Sequence, residues 1–186
     1  MCGRYTGNDE ECEELWAIYR ETKDRYPDVK LSRGEIFPTN TVPVLHGSEL
    51  SPFPAIWGYP GFKGKGVIIN ARAETAAEKY TFKDSLLYRR CVIPTTGYIE
   101  WDAGKVKYRF NLPDTRMLYL GGFYKPFADG VRFVILTTAP NESVADVHDR
   151  MPLIILPEFR QRWLGDTASA MNYLKAEMPT LVRTRL

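Results

Sequence analysis

Cys2, directly behind the initiator methionine, offers chemistry that no other side chain of this sequence can. Aminopeptidases remove Met1 when the next residue is small. The new N-terminus then carries an α-amine of reference pKa about 8 beside a thiol of about 8.5. The amine can attack an aldehyde to give an imine. The neighbouring thiol can then close onto the imine carbon as a five-membered thiazolidine, which an internal cysteine or lysine cannot do. Two other readings stay open from position alone. The thiol can attack an amide with the α-amine as its base, as in N-terminal-nucleophile hydrolases, or Cys2 can be an inert residue.

Three further residues carry chemistry of their own. Glu100 follows Tyr98 and Ile99 and precedes Trp101 in a strand-like run. Among aromatics its carboxyl would be partly desolvated and raised toward a range useful for proton transfer; on an edge strand it would simply face water. His148 sits with Asp149 and Arg150 in a polar turn, either as a surface histidine or as an acid–base group that titrates near neutrality. Asn70 ends the apolar run Val67–Ile69. Its amide can point into a site and hold the Cys2 amine or a sugar, or it can cap a helix that follows. His46 lies in an alternating strand without a motif and reads as structural, as do Cys12 and Cys91.

The elements that must position these residues are short. Asn8 reads as a helix cap with Glu11 as its reciprocal partner, and Cys12, Leu15, Trp16 and Tyr19 then share one helical face. Pro27 stops that helix. Strand-like runs follow at Val42–His46, Phe53–Trp57 and Val67–Ile69, then a helix over Ala73–Leu87. A strand ladder resumes at Arg90–Ile93, Gly97–Trp101, Val106–Phe110, Met117–Leu120 and Val131–Thr137. Asp102-Ala103-Gly104 and Ala128-Asp129-Gly130 read as hairpin connections. After a run at Met151–Leu156, Pro157–Leu164 and Thr167–Glu177 read as helices, and Trp57–Gly66 reads as an exposed loop. The pattern predicts an α+β fold, a largely antiparallel sheet or open β-barrel with peripheral helices, in one domain over residues 1–186.

Composition narrows the partners. The 186 residues carry a net charge of +2, too mild for a protein that coats long nucleic acid but compatible with a footprint of a few phosphates. No apolar run approaches the roughly 20 residues of a membrane span, and Met1-Cys2-Gly3-Arg4 does not read as a signal peptide. A cytoplasmic, nucleoid-associated monomer is the expectation. Three cysteines without a CxxC pair and two histidines offer no zinc spacing, so neither a metal nor an organic cofactor is expected.

Six segments, in order, resemble the SOS response-associated peptidase (SRAP) family. They are Met1–Tyr5, Trp57-Gly58-Tyr59, Asn70–Thr75, Arg90–Pro94, Gly97–Trp101 and His148–Pro152. The chain departs from the family pattern at Glu35-Ile36-Phe37-Pro38 and in its short C-terminal part, Val182–Leu186. The resemblance implies a sensor of abasic sites in single-stranded DNA that forms a covalent thiazolidine crosslink through Cys2. It also implies autoproteolytic removal of whatever precedes the cysteine, and a lyase-type activity. By the same resemblance Glu100 and His148 move protons, Asn70 positions, and Arg4, Arg72 and Arg150 grip phosphates, with Glu74 orienting Arg72. Arg89 and Arg90 would either extend that basic patch or sit on an ordinary solvated face. Pro38 with Phe37, and Trp57 with Phe62, are candidates for stacking on or wedging between bases, with core packing as the alternative. The rival functions are an amidohydrolase acting in trans and a non-catalytic single-strand-binding module.

Overall fold

The computed structural model describes residues 2–7, 12–61 and 64–186. Strand β1 (Arg4–Gly7) precedes helix α1 (Glu13–Arg25). The predicted cap at Asn8 and its partner Glu11 lie outside the described residues. Cys12 occupies the cap position in an extended conformation, and Glu13 and Glu14 put negative charge at the positive helix end. Cys12, Leu15 and Tyr19 face the core as predicted, and Thr22 continues their stripe. Trp16 stays at the edge of that face, where the guanidinium groups of Arg20 and Arg33 lie over its ring.

Two sheets follow from alternating and fully apolar runs. Strand β2 (Gly34–Ile36) pairs with β1. Next come β3 (Thr41–His46), β4 (Ser51–Trp57), the short hairpin of β5 (Tyr59–Pro60) and β6 (Val67–Ile68), and β7 (Asn70–Arg72). Helices α2 (Ala73–Ala76) and α3 (Tyr80–Tyr88) lead to β8 (Arg90–Thr95), β9 (Tyr98–Trp101), β10 (Lys107–Asn111), β11 (Leu118–Phe127) and β12 (Gly130–Thr138). The chain closes with β13 (Met151–Pro152), α4 (Arg160–Gly165), α5 (Thr167–Tyr173) and β14 (Val182–Arg185). One antiparallel sheet has the order β14-β10-β9-β1-β2. In the other, β11, β8, β3, β4 and β12 pair in sequence and β12 pairs back to β11, so the ring closes on itself. The α+β class with a barrel-like, largely antiparallel sheet is as predicted; β12 adds two parallel pairings, to β4 and to β7.

Several boundaries moved for identifiable reasons. The single helix expected over Ala73–Leu87 is two, broken where Lys79 turns extended. At 100° per residue, a continuous helix would set buried Phe82 about 180° from buried Ala73, so the chain must re-aim between them. Strand β11 runs through Gly121-Gly122, which weakens a strand pattern. A Cβ at Gly122 would lie 2.5 Å from the Val134 carbonyl oxygen, so close backbone approach explains the glycine. The predicted hairpin at Ala128-Asp129 joins β11 to β12 with Phe127 opposite Gly130. The stretch from Trp57 is not the exposed loop expected. Trp57 and Tyr59 are fully buried, and the Trp57 ring packs on Tyr5 and Phe133. Arg90 is also buried: its guanidinium donates to the carbonyls of Leu86, Leu87, Trp163 and Leu164, pinning α3 and α4 to β8. It therefore adds nothing to a basic surface.

Candidate functional site

Strand pairing brings the chemistry together. Antiparallel register between β1 and β9, with Arg4 opposite Ile99, sets the segment leading into β1 beside the Glu100 end of β9. The parallel pairing of β7 to β12 aligns Asn70 with Ile135 and Arg72 with Thr137. The start of β13 pairs with the same end of β12, Thr138 opposite Met151. That end of β12 thus gathers Asn70 and Arg72 from one neighbour and the segment from His148 to Arg150 from the other. The turn carrying His148 is held by buried Val144 and Val147 and by Asn141, whose amide donates to the Met178 and Pro179 carbonyls.

Cys2 is fully buried. Burial pushes its thiol well above the ordinary range, and the Glu100 carboxylate pushes in the same direction. The resting side chain is therefore a thiol, and a nearby base must take its proton before it can act. Asn70 donates from Nδ2 to the Cys2 carbonyl oxygen at 3.0 Å, while its own Oδ1 is buried with no hydrogen-bond partner among the described residues. So Asn70 positions the cysteine backbone from a strand, not as a helix cap. Glu100 is 4% exposed, and burial raises its carboxyl above the usual carboxylate range, with the His148 charge working against that rise. His148 Nε2 lies 3.9 Å from Glu100 Oε2. His148 Nδ1 accepts from the Arg150 backbone N–H at 3.0 Å, so the ring is held with Nε2 toward Glu100. Asp149 Oδ1 also lies 3.0 Å from Nδ1.

A cleft of about 980 Å³ opens over this group, and Asn70, Arg72, His148 and Arg150 all line it. Cys2 and Glu100 do not line it. Asn70 and His148 therefore have one side in the cleft and the other on the buried pair. The Arg150 guanidinium is clasped by Glu74, at 2.6 and 2.8 Å, and also donates to the Thr137 carbonyl oxygen. That bidentate contact holds the Glu74 carboxyl below its usual range. Glu74 thus orients Arg150 rather than the expected Arg72, which is exposed.

Arg4 and Pro38 do not line the cleft. Arg4 belongs to a second surface group, ion-paired to Glu35 at 3.3 Å with its guanidinium 3.9 Å from the Phe37 ring centroid. Lys107 pairs with the same Glu35 carboxylate at 2.6 Å and lies over Trp101. Phe37 is half-exposed, with Pro38 following it at the end of β2. Trp57 is a correction: with no exposed surface, its Nε1 donating to the Ile69 carbonyl, it offers no face for a base and is a core residue. Phe62 lies outside the described residues. Sequence reasoning missed Lys79, Tyr80 and Thr137, which also line the cleft. Only an aromatic next to a lysine at a helix start hinted at any of them.

The fold and site define an α+β protein whose second residue, a cysteine, is buried near a carboxylate, with a histidine that faces that carboxylate and lines a basic cleft. The chain belongs to the SOS response associated peptidase (SRAP) family, whose model matches residues 1–183. It is 34% identical over 199 residues to the abasic site processing protein YobE of Bacillus subtilis, covering 95% of this chain and 87% of that one. It is 31% identical over 182 residues to the abasic site processing protein YedK of Escherichia coli, covering 91% and 82%. Among solved structures, a Bacteroides thetaiotaomicron protein superposes with a TM-score of 0.81 at 21% identity, covering 100% of this chain and 92% of that one. A Bordetella bronchiseptica protein superposes at 0.77 and 20%, covering 100% and 99%. At those identities the structures speak to the fold alone.

Proposed function

We propose that this protein processes abasic sites in single-stranded DNA by capturing the open-chain sugar aldehyde on Cys2 once Met1 has been removed. The observation that carries the reading is that Asn70 and His148 connect an accessible basic cleft to a buried cysteine–glutamate pair. The names of the relatives supply the substrate class.

The chemistry balances without an added reagent. The Cys2 α-amine adds to the aldehyde carbon and water leaves as the imine forms. The Cys2 sulfur then bonds to the imine carbon, its proton passes by way of Glu100 to the nitrogen, and the thiazolidine ring closes. Because burial keeps the thiol protonated, Glu100 is required as its base. Its own carboxyl, raised by burial, suits it to accept a proton and give it back. His148, with Nε2 toward Glu100, completes the relay to the cleft, where the sugar ring opens and water departs. Arg72 and Arg150 hold flanking phosphates, which fixes register without reading sequence.

The same thiol serves the family's peptidase label. Attack on the carbonyl of the preceding residue would break its C–N bond, free the α-amine and leave that acyl group on sulfur as a thioester; hydrolysis by water would then release the residue as its acid and restore the thiol, which prepares the trap. Lyase-type strand cleavage would branch from the imine before the thiol closes.

The test is incubation of the Met1-free protein, verified by mass, with an abasic single strand. A denaturation-resistant adduct, lost in Cys2→Ala, is expected. An adduct that survives Cys2→Ala, or none with the wild type, overturns the reading. Turnover of a small amide with an acyl-enzyme burst would point instead to an amidohydrolase.

A further inference from the structure

We infer that Tyr80 is a stacking platform for one unpaired base of the strand beside the lesion, a subsite of the proposed cleft. This rests on the reading of the cleft as a single-strand DNA site. Tyr80 is 97% exposed, although it opens a helix whose Phe82 and Leu86 are buried. Phe82 is locked against Tyr59 and Phe123, so the backbone that carries Tyr80 is fixed from two residues away. Its side chain makes no hydrogen bond, ion pair or ring contact among the described residues.

An exposed tyrosine alone is unremarkable. Tyr88, at the other end of the same helix, is 76% exposed and lies away from the cleft. Tyr80 differs because it lines the cleft with Asn70, Arg72, Lys79 and His148. Arg72 and Lys79, both preceding Tyr80 in the chain, supply positive charge to the same lining, and Asp149 is its one carboxylate among the described residues. A ring held on a rigid element in a cleft that also presents cations suits a single strand, whose bases stack and whose phosphates are negative. A nucleobase is therefore the occupant, stacked on a π-face without any reading of its identity.

The experiment uses the Met1-free protein and single strands carrying a stable tetrahydrofuran abasic analogue. The fluorescent base 2-aminopurine is placed singly at each neighbouring position. Wild type is expected to quench one position strongly. Tyr80→Ala should restore that fluorescence and weaken binding about tenfold, Tyr80→Trp should retain both effects, and Tyr88→Ala should behave as wild type. The weakening should vanish when the quenched base is itself replaced by a second tetrahydrofuran. Binding by wild type with no Tyr80-dependent quenching, or an equal loss for both strands, overturns the stacking subsite. If the same preparation still forms an adduct with a true abasic strand, the functional reading survives that failure. No binding and no adduct by wild type overturns both.

Discussion

Replacing Glu100 with glutamine separates the proposed chemistry from mere packing, because it keeps the shape of a side chain that is 4% exposed and removes its ability to take a proton. General acid–base catalysis is worth about 10²–10⁴-fold. Solvent bases cannot substitute freely here, since Cys2 is fully buried and its thiol is raised by burial and by Glu100 itself. Removing the carboxylate also lowers the thiol toward its ordinary range, which returns part of the loss. A net slowing of about 10²–10³-fold follows, or roughly 2.7–4 kcal/mol of barrier.

The assay is single-turnover formation of the denaturation-resistant adduct at saturating protein, read across pH. In wild type the rate should fall as pH drops through the raised Glu100 carboxyl, above where an ordinary carboxylate titrates. Glu100→Gln should lack that limb and recover toward wild type in base. Stability should move the other way. A carboxyl raised in the folded state contributes stability that is complete below its unfolded pKa and lost as pH rises through the folded one. Glu100→Gln should therefore melt higher than wild type near neutral pH, and the gap should close in acid. Each kcal/mol would appear as about 2–4 °C. A variant that melts higher yet crosslinks at the wild-type rate, with the acid limb intact, would refute the proton-transfer role.

Other perturbations test the parts around that pair. Asn70→Ala removes the hydrogen bond to the Cys2 carbonyl. A buried acceptor left unsatisfied costs about 1–3 kcal/mol, so adduct formation should slow by about 10- to 100-fold with little change in DNA affinity, separable by single-turnover rate and equilibrium binding. Glu35→Gln frees Arg4 and Lys107 from one shared carboxylate. Single-strand affinity at low salt should rise, and the dependence of log K on log salt should steepen by about 0.7 for each cation that gains a phosphate. Trp57→Ala should act as a core truncation, costing about 3–5 kcal/mol in a urea melt. A loss of DNA affinity with unchanged stability would restore Trp57 as a stacking residue.

Some of the fold could be read from local pattern because a local rule governed it. The face of α1 at Cys12, Leu15 and Tyr19, the hairpin at Ala128-Asp129 and most barrel strands follow from side-chain period and turn chemistry. What escaped were features decided by distant partners. Strand β7 at Asn70 exists because β12 offers it a parallel edge, and β14, whose residues are all exposed, exists because β10 has a free one. The break at Lys79 reflects two buried faces that one helix cannot serve.

The sequence by itself singled out the proposed reactive group, since a cysteine at position 2 becomes an N-terminal aminothiol once Met1 is removed, and its ordered motifs pointed to Asn70, Glu100 and His148. Tertiary structure decided what those residues can do. Burial pushed the Cys2 thiol and the Glu100 carboxyl upward, and the Arg150 backbone N–H anchors the His148 ring at Nδ1. The closed ring of strands took Trp57 into the core, and the strand-end geometry gave Glu74 to Arg150. Residue type and order are local properties, whereas solvent exclusion and charge pairing depend on which groups the fold brings within a few ångströms.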